Sequence, residues 1–320
     1  MTPDLIAAAA ARLAGHVRET PLLGSPFLDE IAGRRVLVKA ECLQHTGSFK
    51  YRGARAALSA LSAADRARGV CAASSGNHAQ GVARAAAELG VRATILMPAD
   101  APRIKLENTR ALGAEVITYD RVTGDRDALM LDLAETRGMP LIRPFDDPQV
   151  IAGQGTAGLE IAAQAQALGI HEAEVLVPCG GGGLTSGIAV ALSAAAPGFR
   201  VHPVEPEGFD DTRRSQDSGR REVNAQTAGS LCDAIVTPSP GALTFPLVQA
   251  LCGPGRVVTD EQALRAMALA MLRLKLVIEP GGAVALAAAL FHRTGAGPVI
   301  VVASGGNCDP AILHRGLAFL

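Results

Sequence analysis

"EVLVPCGGGGLTSG", residues 174–187, runs from a β-branched apolar segment through four consecutive glycines into small residues suited to a helix. Residues 174–177 read as a strand, and the residues after the glycines read as a helix start. Glycine lets the backbone approach a ligand closely, and unpaired amides at a helix N-terminus favour a phosphate. A tight strand-to-helix turn without a ligand fits the same letters. The lysine and hydroxyl of a Walker loop are missing, which disfavours a nucleoside triphosphate. So is an early GxGxxG with a downstream acid, which disfavours a nicotinamide dehydrogenase.

The same pattern repeats outward from this turn. Short apolar runs at residues 36–40, 70–73, 93–97, 115–119, 140–143, 201–204 and 299–303 read as further strands. Helical patterns at 78–90, 102–113, 155–169 and 260–275 lie between them, with caps, first-turn prolines or terminal glycines. Strand and helix in alternation predict an α/β fold with parallel sheets covered on both faces. Ligands then sit beyond the carboxyl ends of the strands. Glycine-rich turns after Ala73, Val177 and Ala303 all fall there.

Composition narrows the partners. The chain has 320 residues, 48% of them hydrophobic, enough for two lobes. Thirty basic residues against thirty-one acidic give a net charge of −1 and no general attraction to nucleic acid or an anionic membrane. A small neutral or zwitterionic partner fits better. Six scattered cysteines form no CxxC pair or Cys/His cluster, so they read as reduced thiols of a cytoplasmic protein. "MTPDLIAAAAARLAG" carries Asp4 and Arg12, which break a signal-like run; it reads as a helix capped by Thr2 with Pro3 at its first position. Pro178, the glycines and Pro197 interrupt the uncharged stretch 175–199, so no membrane span is expected there.

Two further turns carry chemistry. "ASSGNHAQG", residues 73–81, crowds Ser74, Ser75, Asn77 and His78 against Gly76, offering donors to a carboxylate or a phenolic oxygen. An N-capping turn explains these residues equally well. "VVASGGNCD", residues 301–309, puts the Ser304 hydroxyl at a strand tip, where it suits a heteroaromatic nitrogen. "HTGSFKYRGA", residues 45–54, sets Lys50 between Phe49 and Tyr51.

In order along the chain, "TGSFKYRGA", "SSGNHAQGVA", "FDDPQVIAGQGTAGLEI", "GGGGL", "EPGGA" and "SGGN" resemble the threonine/serine dehydratase and serine racemase family. These are fold type II pyridoxal-phosphate enzymes of the tryptophan synthase β-like superfamily. The resemblance implies a two-lobed enzyme, with a discontinuous cofactor domain at 1–59 and 147–320 and a small domain at 60–146 closing over substrate. It implies Lys50 as the lysine that bonds the cofactor, Phe49 against its ring, and Asn77 on the ring hydroxyl. Gly180, Gly181, Gly182, Gly183 and Leu184 would take the phosphate, Ser304 the ring nitrogen, and Glu279 would lie near the cofactor. The implied reaction is loss of water from L-serine or L-threonine to give a 2-oxo acid and ammonia, with Lys50 taking the α-proton.

The resemblance also frames the alternatives. Ser75 stands where a second acid/base would permit racemisation; it also reads as a turn serine. The substrate carboxylate is expected on the turn of Ser74, Ser75, Gly76 and Asn77, and His78 is expected to contact the substrate. Arg121 or Arg126, if turned inward, would favour 3-hydroxyaspartate, because a guanidinium fork recognises a second carboxylate. The loop at 237–246 should face substrate. "VEPEGFDD", residues 204–211, resembles a cation site, with Glu205, Asp211 and the Phe209 carbonyl suited to Mg²⁺, Ca²⁺ or Mn²⁺; a pair of surface acids near Arg213 and Arg214 is the plain alternative. A homodimer is the family expectation. A non-catalytic ligand sensor on the same fold is the reading from another class.

Overall fold

The computed structural model describes residues 1–101, 103–120, 123–292 and 295–319. Its strands in chain order are β1 Leu22–Gly24, β2 Val36–Lys39, β3 Val70–Ala73, β4 Ala93–Pro98, β5 Glu115–Tyr119, β6 Ala173–Pro178, β7 Phe199–Pro206, β8 Arg256–Val258 and β9 Val299–Val302. They form two sheets, a six-stranded one ordered β1-β2-β9-β6-β7-β8 and a three-stranded one ordered β3-β4-β5. Only β1 runs antiparallel to its neighbour. The small sheet is parallel throughout and lies between β2 and β6 in sequence.

Side-chain alternation explains why the large sheet is covered on both sides. Val36, Val38, Leu176, Val299 and Val301 face the helices Asp260–Leu274 and Pro280–Phe291. Leu37, Val175, Val177, Ile300 and Val302 face the other way, towards the helices Pro148–Ala167 and Gly183–Ala195. With period two and both faces buried, each strand reads as an unbroken apolar run. The small sheet repeats the scheme: Val70, Ala72, Ile95 and Met97 meet one core, Cys71 and Leu96 the other.

Three differences from the expected elements have local causes. Residues 140–143 form no strand; Leu141 makes a single bridge to Cys71, because Pro140 and Pro144 flank it and lack N–H donors. The strands β1 and β8 have three residues each, too short to show a period. The helix Pro148–Ala167 starts earlier than its glycines suggest, since Asp147 accepts from the amides of Gln149 and Val150 and Pro148 opens its first turn. The first helix, Pro3–Leu13, is capped by Thr2. Among the described residues no helix is long and apolar enough to cross a membrane.

Candidate active site

Lys50 is the first residue of the helix Lys50–Ala60, and the register of the large sheet brings that helix start to the end of β9. The Phe49 amide donates to the Ser304 carbonyl at 3.1 Å, and Ser48 bridges Gly305, so the lysine turn and the strand tip are fixed together. Two residues on, Arg52 anchors the helix: its guanidinium donates to buried Glu41 at 2.8 Å and to partly buried Glu160 at 2.6 Å.

Lys50 Nζ donates to the Pro144 carbonyl at 2.8 Å and lies 5.1 Å from the Phe49 ring centroid. Burial pushes its pKa down to about 8, against a weaker pull upward from Glu279. A solvated lysine holds its proton far more firmly, so this amine sheds it within reach of neutral pH.

One cavity gathers most of the expected residues. Phe49 and Lys50 line it together with Ser74, Ser75, Gly76, Asn77 and His78, and with Gly180, Gly181, Gly182, Gly183 and Leu184 opposite. The glycines fill a space with no room for side chains. A β-carbon on Gly181 would sit 2.3 Å from the Phe145 ring, and one on Gly180 2.9 Å from the Ile235 carbonyl. Gly182 has φ +88°, a left-handed turn that opens the helix Gly183–Ala195. The amides of that first turn lack helical partners. Beside them both amide atoms of Gln154 are buried without a hydrogen-bond partner. A phosphate fits this arrangement, since it accepts from backbone amides and from a glutamine NH₂ at once.

The second glycine-bearing turn is tied to the far wall. Asn77 Nδ2 donates to Glu279 Oε1 at 2.5 Å, while Asn307 Nδ2 donates to Asn77 Oδ1 at 2.7 Å and to the Thr46 carbonyl at 2.8 Å. Glu279 is buried at the N-cap of the helix Pro280–Phe291, and burial raises its pKa to about 7, with Lys105 the chief opposing charge. His78 donates from Nε2 to the Ile142 carbonyl at 2.9 Å; burial, then Lys50, lower its pKa to about 3, so it stays neutral. Ser304 is buried just past the end of β9.

Arg126 opens the helix Arg126–Arg137 and lines the same cavity, half exposed and paired with Asp127 at 2.8 Å. Arg121 lies outside the described residues. Thr237, from the loop expected to face substrate, lines the cavity with its buried hydroxyl unpartnered. Sequence reasoning missed Gln154, Asn307, Lys105 and the Pro144 carbonyl. Gln154 and Asn307 were visible as polar letters inside quoted motifs, but nothing local assigned them a direction.

The acids of "VEPEGFDD" are not a surface pair. Glu205 is fully buried and accepts from the Thr212 and Arg213 amides at 2.8 Å each. Asp211 is also buried; Oδ1 accepts from Asn224 at 2.6 Å and Oδ2 has no partner. Burial, then the Asp211 charge, pushes the Glu205 carboxyl well up, and burial raises Asp211 to about 6. Among the described residues no three His, Cys, Asp or Glu side chains gather as a metal cluster.

A family model described as "Pyridoxal-phosphate dependent enzyme" matches residues 13–305. The chain belongs to the pyridoxal-phosphate dependent enzyme family. Pyridoxal phosphate is its cofactor, and the desolvated lysine facing a glycine cradle is what that cofactor requires. An L-threo-3-hydroxyaspartate ammonia-lyase from Pseudomonas sp is 43% identical over 303 residues, covering 94% of this chain and 93% of that one. The crystal structure of a threonine deaminase from T.th. superposes with a TM-score of 0.91 at 45% identity, covering 97% of this chain and 99% of that one. Maize serine racemase superposes at 0.92 with 34% identity, covering 99% and 97%. The expected family and fold class are both borne out.

Proposed function

We propose that this chain is an ammonia-lyase that eliminates water from a β-hydroxy amino acid, L-serine or L-threonine. The observation that carries this reading is Lys50, buried and readily deprotonated, in one cavity with a glycine cradle and a Ser/Asn turn. A ligand sensor would have no use for a lysine so stripped of solvent.

Pyridoxal phosphate, when bound, supplies an electron sink that makes an α-proton acidic. The chain's own residues do the rest. Gly180 to Gly183 and Leu184, which line the cavity with Gln154 alongside, would hold the phosphate at the helix N-terminus. Phe49 would pack against the ring, Asn77 would meet its hydroxyl, and Ser304 would meet its nitrogen. Glu279 fixes the Asn77 amide. The Ser74–Asn77 turn takes the α-carboxylate, and His78 stays neutral behind it. Lys50 Nζ removes the proton from the substrate Cα, and a proton returned to the β-hydroxyl from the Lys50 ammonium or a nearby side chain lets it leave as water. The released enamine tautomerises to an imine, which water hydrolyses in solution to a 2-oxo acid and ammonia. Closure of the 60–146 unit over the site would exclude water during these steps.

Two substrate readings follow from single residues. Arg126 on the cavity wall favours 3-hydroxyaspartate, whose second carboxylate matches a guanidinium fork. Ser75 on the same wall supplies a hydroxyl for proton return, which would give serine racemase activity beside elimination. Glu205, Asp211 and the Phe209 carbonyl would hold Mg²⁺, or Ca²⁺ or Mn²⁺, in a structural role; the unpartnered Asp211 oxygen supports this. The working form we propose is a cytoplasmic homodimer with reduced thiols; all six cysteines are unpaired.

Ammonia release from L-serine, L-threonine and both diastereomers of 3-hydroxyaspartate, with Mg²⁺ present, tests the substrate. Turnover of serine and threonine is expected. Turnover confined to hydroxyaspartate would replace the first reading by the second, and Arg126→Ala would then weaken it.

A further inference from the structure

Only four of the thirty basic residues in this chain are lysines: Lys39, Lys50, Lys105 and Lys275. Lys39 is buried against Glu160, Lys50 faces the reaction cavity, and Lys275 closes a helix in the left-handed conformation. Lys105 remains to be explained. It sits on the helix Arg103–Ala111, beside the small sheet, and its side chain is only 13% exposed.

Its position is specific. The ammonium points into the reaction cavity, and a β-carbon built on Gly76 would lie 3.4 Å from Lys105 Nζ. Gly76 is the N-cap of the helix Asn77–Leu89 and belongs to the turn assigned above to the substrate carboxylate. The groups facing Lys105 are Asp233, at a long 3.5 Å and with its own side chain 60% exposed, and buried Glu279 further off. At that distance Asp233 is at the outer limit of a hydrogen bond and leaves the ammonium free to take a closer anion. An arginine fork would reach over the glycine turn, whereas a compact ammonium leaves room for a carboxylate.

We propose that Lys105 is a substrate-binding residue that exchanges Asp233 for the α-carboxylate of the incoming amino acid. Asp233 shares the charge loosely, at 3.5 Å. A carboxylate arriving on the Ser74–Asn77 turn meets the ammonium and the first-turn amides of the helix Asn77–Leu89 together. Because Lys105 comes from the small-sheet side and Asp233 from the three-residue turn Asp233–Ile235 before the substrate loop, the exchange also reports substrate occupancy from one wall to the other. This rests on the ammonia-lyase reading for the placement of the carboxylate.

The test uses the holoenzyme with Lys105→Met, Lys105→Arg and Asp233→Asn. Ammonia release is measured against L-serine, or against whichever hydroxy amino acid the wild type turns over. Two competitors are added: 3-hydroxypropionate, which has the carboxylate but no amine, and serinol, which has the amine but no carboxylate. Lys105→Met should raise KM and the 3-hydroxypropionate inhibition constant by about tenfold to a hundredfold, the worth of a charge-assisted hydrogen bond. kcat and the serinol constant should hold, Lys105→Arg should recover part of the loss, and Asp233→Asn should leave KM unchanged or lower. Equal falls in kcat for Lys105→Met and Asp233→Asn at constant KM would make the pair a structural latch and overturn the proposal. So would parallel weakening of both competitors. A wild type that turns over no hydroxy amino acid would instead sink the parent reading, and thermal stabilisation by 3-hydroxypropionate, lost in Lys105→Met, would still decide the role of Lys105.

Discussion

Lys50 and Arg52 lie two residues apart on one helix, and their surroundings are opposites. Arg52 is wrapped by Glu41 and Glu160, and Lys39 joins Glu160 with a bond of 2.6 Å while also donating to the Thr20 carbonyl at 2.6 Å. Burial works against the charge on Arg52, yet the carboxylates outweigh it and its pKa rises. Among the described residues the one direct acceptor of the Lys50 ammonium is a carbonyl, and burial wins. Compensated charge fixes the helix; uncompensated charge leaves an amine ready to react.

The largest expected effect breaks the reactive half. Lys50→Ala should lower ammonia release by about 10²–10⁴-fold or more, the scale of a positioned acid/base. Its melting temperature should stay near wild type, because the lysine makes no ion pair among the described residues. A matching collapse of stability would place Lys50 in the anchoring network instead.

Breaking the anchoring half should do the reverse. Arg52→Met leaves Glu41 buried without its partner and should cost about 3–5 kcal/mol in denaturant unfolding. Adding Glu41→Gln should recover part of that, since it removes the stranded charge. If the double variant is no better than the single, the network contributes through packing rather than charge.

A third pair of buried groups sharpens the comparison. Glu205 and Asp211 have backbone and Asn224 donors but no cation among the described partners. Saturating Mg²⁺ at a hundred times Kd should therefore stabilise the protein by about 2.7 kcal/mol. Glu205→Gln should be blind to Mg²⁺ in a thermal shift assay, and an unchanged response would move the cation elsewhere. The smallest expected effect is at Arg126, whose exposed pairing with Asp127 is worth little to stability. Arg126→Ala should leave the melting temperature and serine turnover intact while weakening any 3-hydroxyaspartate turnover.

The sequence displayed one half of this comparison better than the other. Strand-turn-helix punctuation marked the glycine cradle, the Ser/Asn turn and the Ser304 tip, because glycine and β-branched runs act locally. Lys50 stood out beside them. The short strands Leu22–Gly24 and Arg256–Val258 did not, having too few residues to show a period. In the network of Lys39, Glu41, Arg52 and Glu160, the outermost partners are 121 residues apart, and their pairing is a product of packing the helix Pro148–Ala167 against the lysine helix. Asn77 and Glu279 are 202 residues apart and meet only in the fold. Burial, too, is invisible in letters: "VEPEGFDD" reads equally well as solvated acids.

The reactivity of Lys50 is read from the pH dependence of cofactor capture by the apoprotein, followed through the visible band of pyridoxal phosphate bonded to a lysine amine. Only the neutral amine attacks the cofactor aldehyde, so capture should fall as pH drops below the Lys50 pKa and level off above it. A midpoint near pH 8 in the wild type, one cofactor per chain, and no band in Lys50→Ala are expected. A midpoint near that of a solvated lysine, or a band that survives Lys50→Ala, would contradict a reactive Lys50.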